Sequence, residues 1–190
     1  MKYLALILTF SLLYVQGRAQ EMVNGYFILV NKDSITTKIK VPKTIFGAVN
    51  ETSLQQRVII NDGDDAGKKM KPADIAAFGF TYNNDRYDYK SVLVNGHRHV
   101  FLRMIIYGPK VNLLYYVRRS NRSKHEIYFV EKENGEGLLL TNSMTRKKIR
   151  QRLDDFYKND EPVHEIIASS SISMWRYKPG LETIVNAINR

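Results

Sequence analysis

The architecture of this chain follows from residues 86–132, which read RYDYKSVLVNGHRHVFLRMIIYGPKVNLLYYVRRSNRSKHEIYFVEK. Runs of β-branched and aromatic residues alternate there with polar residues, which is typical of strands that bury one face. The segment predicts four consecutive strands, Arg86–Val94, His97–Tyr107, Val111–Arg119 and Lys124–Lys132. Strands that follow one another through short turns form an antiparallel meander.

The first turn of this meander contains Asn95-Gly96, a pair typical of two-residue hairpins because both positions of a type I′ turn need a positive φ. A two-residue turn sets Val94 opposite His97. The same register sets Asp88 opposite Arg103 on the outward face. It predicts a core face made of Tyr87, Tyr89, Ser91 and Leu93 on one strand and Val100, Leu102 and Met104 on the next.

The flanking segments predict further strands and a helical end. Strands are expected at Gly25–Val30, Ile35–Val41, Arg57–Asn61, Phe78–Tyr82 and Leu138–Thr141, with loops over Lys43–Gln55 and Asp62–Lys69. Apolar stripes of helical period follow in Ile149–Tyr157, Val163–Ala168 and Pro179–Ile188, and Ser143 is the expected cap of the first helix. This order favours the α+β class, mainly β, with an antiparallel meander or roll of roughly eight to nine strands and two or three C-terminal helices.

The N-terminus has the features of a signal peptide. Lys2 supplies a positive charge, Tyr3–Val15 is an apolar run, and Gly17-Arg18-Ala19 offers small residues for cleavage before Gln20. The alternative is an N-terminal anchor helix, but the apolar run is shorter than the ~20 residues that a bilayer requires. We expect residues 1–19 to be a signal peptide and residues 20–190 to be one β-rich domain with a helical C-terminal part. The expected location is the periplasm, the cell envelope or the extracellular space, with no membrane span after cleavage.

Composition limits the chemistry of the chain. It contains no Cys, so disulfides, thiolate catalysis and lipidation at cysteine are excluded, and its net charge is +10. For an exported protein this charge favours anionic envelope polymers, lipid head groups or acidic glycans, and nucleic acid is not an expected partner. The alternative is that the positive charge only maintains solubility.

Two basic clusters are the candidate contacts for an anionic partner. One crosses the turn between the last two meander strands, and the other opens the first C-terminal helix. Their members are Arg118, Arg119, Arg122 and Lys124, followed by Arg146, Lys147, Lys148, Arg150 and Arg152. Cations at a helix N-terminus oppose the helix dipole, which indicates that the second cluster serves a partner. A charge run is also typical of a solvated face, so both interpretations stay open.

Other candidate sites are less well supported. His97 and His99 are two residues apart on a predicted strand and would share one face, as a metal-binding pair requires, but no third ligand is evident. Asp62, Asp64 and Asp65 lack the order of oxygen ligands found in a calcium loop. We therefore assign no metal ligand, cofactor or catalytic residue.

Six tyrosines in the meander allow two interpretations. Tyr87, Tyr89, Tyr107, Tyr115, Tyr116 and Tyr128 would form a sugar-stacking platform if they shared an exposed face. Tyrosine is also a good strand former, and packing within the sheet is the favoured interpretation.

A resemblance adds to the expectation of export. The Gly25-Tyr26 strand, the Asn31-Lys32-Asp33-Ser34 turn, Lys71-Pro72-Ala73-Asp74-Ile75 and Asp160-Glu161-Pro162 follow one another in this order before a closing helix that ends at Asn189. In this order the chain resembles exported proteins of unknown function from Bacteroidota-type bacteria. The resemblance implies a periplasmic or surface location and brings no activity.

Together these features predict an exported envelope protein that binds an anionic or glycan partner, and a non-enzymatic role is favoured. The alternative is a hydrolase of envelope polymers that acts through a pair of carboxylates, which the sequence does not identify.

Overall fold

A computed structural model of the chain describes residues 21–61, 67–94, 96–120, 123–170 and 177–190. The predicted signal peptide therefore lies outside the described residues. The same is true of Asp62, Asp64 and Asp65, of Asn95 and of Arg122. The backbones of residues 119, 120 and 124 are described, but their side chains are not.

The described residues form ten strands and four helices. In chain order the strands are β1 (Met22–Leu29), β2 (Ser34–Lys40), β3 (Val58–Asn61), β4 (Lys68–Met70), β5 (Ile75–Tyr82), β6 (Asp85–Val94), β7 (Arg98–Ile106), β8 (Val111–Ser120), β9 (Ser123–Lys132) and β10 (Gly137–Thr141). The helices are α1 (Glu51–Leu54), α2 (Arg146–Phe156), α3 (Glu161–Ser169) and α4 (Tyr177–Ile188).

All ten strands belong to one sheet in the order β10-β9-β8-β7-β6-β5-β1-β2-β3-β4, and every described pairing is antiparallel. Strands β5 to β10 follow one another as a meander, so the predicted class is confirmed. The predicted loops at 43–55 and 62–69 are wrong in part. The first contains the single turn α1, which Asn50 caps, and the second leads into β4, which pairs with β3.

Two large cores lie on one face of the sheet, which we call the helix face. One core packs α2, α3 and α4 against β8, β9 and β10, and the other packs α1 against the strands from β1 to β7. The opposite face carries a smaller cluster of buried residues, Val92, Val100, Leu102 and Leu114. Burial of each such side chain contributes ~1.5–3 kcal/mol, so the helix face supplies most of the stability.

The predicted register of the β6–β7 hairpin is wrong by one residue. Val94 lies opposite Arg98 instead of His97, so residues 95–97 form a three-residue connection. Gly96 adopts a φ of 70°, which a residue without a Cβ accepts at little cost. The connection is therefore one residue longer than the two-residue turn that Asn95-Gly96 predicted.

This shift reassigns side chains between the two faces, because the side-chain period of a strand is two. Tyr89 pairs with Arg103 and Ser91 with Phe101, so Phe101 joins the helix-face core. Leu102 lies on the opposite face instead of the predicted core face, together with Val100 and Met104. Asp88 and Arg103 are consequently on different faces and are not the predicted cross-strand pair.

Candidate functional site

Strands β7 and β8 separate along part of their length. Their pairing toward the β6–β7 turn stops at Arg103 opposite Tyr115, although β8 continues to Ser120 beside β9. Where antiparallel neighbours separate, the backbone N–H and C=O groups of each strand lose their partners across the sheet. Such groups need other hydrogen-bond partners when they are buried.

Gln55 supplies those partners. Its backbone oxygen accepts from the N–H of Phe101 on β7 at 3.1 Å. With its amide oriented so that both groups of Val117 are satisfied, its side chain donates to the oxygen of Val117 on β8 at 2.8 Å and accepts from the Val117 N–H at 2.9 Å. Gln55 is only 1% exposed, so it is an integral part of the sheet. We call the place where β7 and β8 separate around Gln55 the fork. Its two branches are the β6–β7 hairpin, which carries Phe101, and the β8–β9 hairpin, which carries Val117.

A polar cleft of about 510 Å³ lies on the helix face of the fork. Arg103 forms an ion pair with Glu51, and its guanidinium lies 4.3 Å from the centroid of the Tyr87 ring. Burial raises the pKa of Tyr87 above its usual value. Arg103 thus has both a carboxylate and an aromatic partner.

A second carboxylate, Glu126, lines the same cleft. It accepts hydrogen bonds from the hydroxyl of Tyr115 at 3.1 Å and from the hydroxyl of Tyr128 at 2.9 Å. Burial, and then the bond to this carboxylate, raise the pKa of Tyr128 well above its usual value, so Tyr128 remains a donor. Glu51 and Glu126 both line this cleft, as the carboxylate pair of a hydrolase would, and both are engaged by neighbours.

The two predicted basic clusters come to the same end of the sheet. Arg118 on β8 lies opposite His125 on β9, and Thr141 at the end of β10 lies opposite Ile127. The N–H of Asn142 donates to the oxygen of Glu126 at 3.0 Å, which fixes the chain after β10 beside the tip of the β8–β9 hairpin. Four residues extend ~14 Å at most, so α2 begins close to that tip.

Four of the predicted contact residues at this end are exposed. They are Arg118 on β8 and Arg146, Lys147 and Lys148 in the first turn of α2, and we call these four residues the basic end. No described carboxylate forms an ion pair with any of them. Because β8 residues alternate, Arg118 lies on the opposite face, whereas α2 packs on the helix face, so the two sets of cations lie on different faces at this end of the sheet.

The remaining residues that were predicted to contact an anionic partner are not part of the basic end. Arg150 donates to the backbone oxygen of Ser170 at 2.6 Å, at the C-terminus of α3, and therefore has a structural partner. Arg152 is half-buried. The side chains of Arg119 and Lys124, and all of Arg122, lie outside the described residues.

The start of α2 also differs from the expectation. Thr145, not Ser143, is the N-cap, and its hydroxyl accepts from the N–H of Lys148 at 3.3 Å. The first turn contains no acidic residue, so its cations face the positive end of the helix dipole without local compensation.

The histidine and tyrosine alternatives gain no support. His99 lies on the helix face, where its Nδ1 is 3.3 Å from the Ser91 hydroxyl, whereas His97 lies in the turn before β7. The described residues contain no group of three or more His, Asp or Glu positioned to hold a metal ion. Tyr89 and Tyr128 are core residues on the helix face, Tyr116 lies on the opposite face and Tyr107 follows β7, so the six tyrosines form no common platform.

The chain was compared with family models, with curated proteins and with solved structures, and none of the three comparisons found a match. Within the described residues, no helix is both long enough and apolar enough to cross a membrane.

The fork and the cleft were not found from the sequence. Gln55 follows a segment without clear periodicity, and its partners are distant in the chain. Asn50 before Glu51 is a capping signal that would have identified α1, though not the contacts of Gln55.

Proposed function

We propose that this protein is an exported, non-enzymatic binding module and that its basic end holds an anionic polymer of the cell envelope. The observation that supports the proposal is the convergence of Arg118 with Arg146, Lys147 and Lys148 at one end of the sheet. These cations belong to separate segments of the chain, and none has a described carboxylate partner.

Exposed charges are screened over ~8–10 Å at physiological salt, so a polyanion gains mainly from the cations that it contacts. A polyanion that contacts both sets of cations at this end gains from each, whereas a single cation attracts it weakly. A polyanion at the start of α2 would also interact favourably with the helix dipole, which the first-turn cations now oppose. The net charge of +10, which becomes +8 when Lys2 and Arg18 leave with the signal peptide, adds long-range attraction of the same sign.

An anionic partner fits better than a neutral glycan or a hydrolase substrate. Stacking on a neutral sugar requires exposed aromatic rings on one face, and the meander tyrosines are divided between faces and core. A glycosidase needs one carboxylate free to donate a proton and another free to attack or to activate water. Glu51 is paired with Arg103, and Glu126 accepts from two tyrosine hydroxyls.

The proposal that the protein is exported rests on the signal-peptide features of residues 1–19 and on the resemblance to exported proteins. Fractionation of the native host should yield a product that begins near Gln20 outside the cytoplasm. A full-length product in the cytoplasm would refute export.

Heparin, a sulfated glycan, is a suitable probe for the basic end. We expect the wild type to bind immobilised heparin and to elute with salt, and Arg118→Glu with Lys147→Glu to weaken binding at low ionic strength. Two reversed surface charges should weaken affinity by roughly tenfold or more, equivalent to ~1.4 kcal/mol. The difference should decrease as salt increases.

The matched control is Lys38→Glu with Lys69→Glu, which changes the net charge equally on exposed residues of β2 and β4. It should retain most of the wild-type affinity. Equal losses in the two folded double variants would attribute binding to net charge alone, and absence of wild-type retention would refute the proposal.

A further inference from the structure

Another cavity, of about 300 Å³, lies on the opposite face of the fork. Its apolar walls come from both branches, with Val94, Val100 and Leu102 on β6 and β7 and with Tyr116 and Ile127 on β8 and β9. Leu102 and Val100 also belong to the buried cluster of this face, so the bottom of the cavity is continuous with packed side chains. This volume is at the lower end of the range of small-molecule sites.

The rim of this cavity is cationic. Arg98, at the start of β7, and Arg118, near the end of β8, both line it and are exposed, and His97 lies beside them. No acidic residue is among the described residues that line it. An anion at the mouth would therefore meet two guanidinium groups, which are strong donors to carboxylates.

One set of polar side chains on this face, beyond the cavity, is paired internally. Lys90, the neighbour of Leu102 across β6 and β7, lies 2.8 Å from both carboxylate oxygens of Glu131 on β9. Asn112 donates to the same carboxylate at 3.3 Å. These groups neutralise one another and leave the cavity with apolar walls and charge only at its rim.

We infer that this cavity binds a single-chain anionic amphiphile such as a long-chain carboxylate. The alkyl chain lies between the two branches of the fork, where burial of apolar surface is favourable, and the carboxylate lies at Arg98 and Arg118. The inference goes beyond the proposed function, because the ligand enters a pocket instead of lying along the surface of the basic end. The two sites share Arg118 only.

Dodecanoate, kept below its micelle concentration, is the probe, and isothermal titration calorimetry is the measurement. The wild type should bind one equivalent. Ile127→Trp, which fills the cavity without a change of charge, should abolish binding. Arg98→Gln with Arg118→Gln should weaken it by roughly tenfold or more, equivalent to ~1.4 kcal/mol. Dodecan-1-ol, which has no charge, should bind the wild type more weakly than dodecanoate.

Leu93→Trp is the matched control, because Leu93 lies on the helix face of the same hairpin and is 49% exposed. This variant should bind dodecanoate like the wild type. If Ile127→Trp does not fold, Val94→Trp at the end of β6 makes the same test.

Heparin retention separates this inference from the proposed function. Ile127→Trp should keep the retention of the wild type while it loses dodecanoate. Absence of dodecanoate binding to the wild type, or unchanged binding by a folded cavity-filling variant, would refute the pocket whatever the heparin result.

Discussion

The two sides of the fork differ in how their charges are balanced. On the helix face, the cleft is polar, Arg103 is paired with Glu51, and Glu126 is held by two tyrosine hydroxyls. On the opposite face, the cavity is apolar, and Arg98 and Arg118 at its rim have no described carboxylate partner.

The same strand segments build both sides. Leu102 lines the cavity and Arg103 lines the cleft, and likewise Tyr116 and Tyr115 are divided between them. Adjacent residues of a strand point to opposite faces, so one pair of diverging strands produces two sites of contrasting chemistry. A pocket with compensated charges contributes to stability, whereas a rim of uncompensated cations favours a ligand.

The largest effect is expected at the fork itself. Gln55→Leu keeps the approximate side-chain volume but removes the partner of both backbone groups of Val117, which is 5% exposed. Buried backbone groups without partners are costly, so the free energy of unfolding should decrease by ~2–4 kcal/mol. Urea denaturation followed by circular dichroism measures this change.

Gln56→Leu is the control, because Gln56 is adjacent and exposed. It should leave the urea midpoint close to the wild-type value. A Gln55→Leu protein as stable as Gln56→Leu would mean that the fork does not depend on this amide.

A smaller loss of stability should distinguish the Lys90–Glu131 pair on the opposite face from the Arg103–Glu51 pair on the helix face. Lys90→Met leaves the Glu131 carboxylate, whose side chain is 8% exposed, with Asn112 as its remaining described partner, and should cost ~1–3 kcal/mol. The partial exposure of Lys90 lowers this figure. Glu51→Gln should cost less than ~1 kcal/mol, because the Glu51 side chain is 26% exposed, more than that of Glu131, and an amide oxygen can still accept from Arg103. Urea unfolding of both variants tests the order, and equal losses would contradict it.

Much of this architecture could be predicted from the sequence. The four strands of the meander are within one residue of their predicted bounds at each end, because alternation and turn residues are local signals. The C-terminal helices follow from apolar stripes such as Ile149 with Leu153, and both residues are buried. The basic residues at the start of α2 were likewise evident, because they form a continuous run in the sequence.

What could not be predicted depends on distant contacts. Asn95-Gly96 identified the hairpin, but one additional turn residue moved Leu102 from the predicted core face to the cavity. The role of Gln55 depends on Phe101 and Val117, which approach it only in the folded chain. The register of the hairpin and the contacts of Gln55 therefore could not be predicted from local sequence patterns.

We propose that an anionic partner binds at the basic end and not in the cleft. Amide shifts of the ¹⁵N-labelled protein titrated with a heparin oligosaccharide test it most directly. We predict that the largest changes will occur at Arg118 and around Lys147, with little change at Glu51 or Lys38. Largest changes at Glu51 and Arg103, or equal changes across the exposed lysines, would refute binding at the basic end.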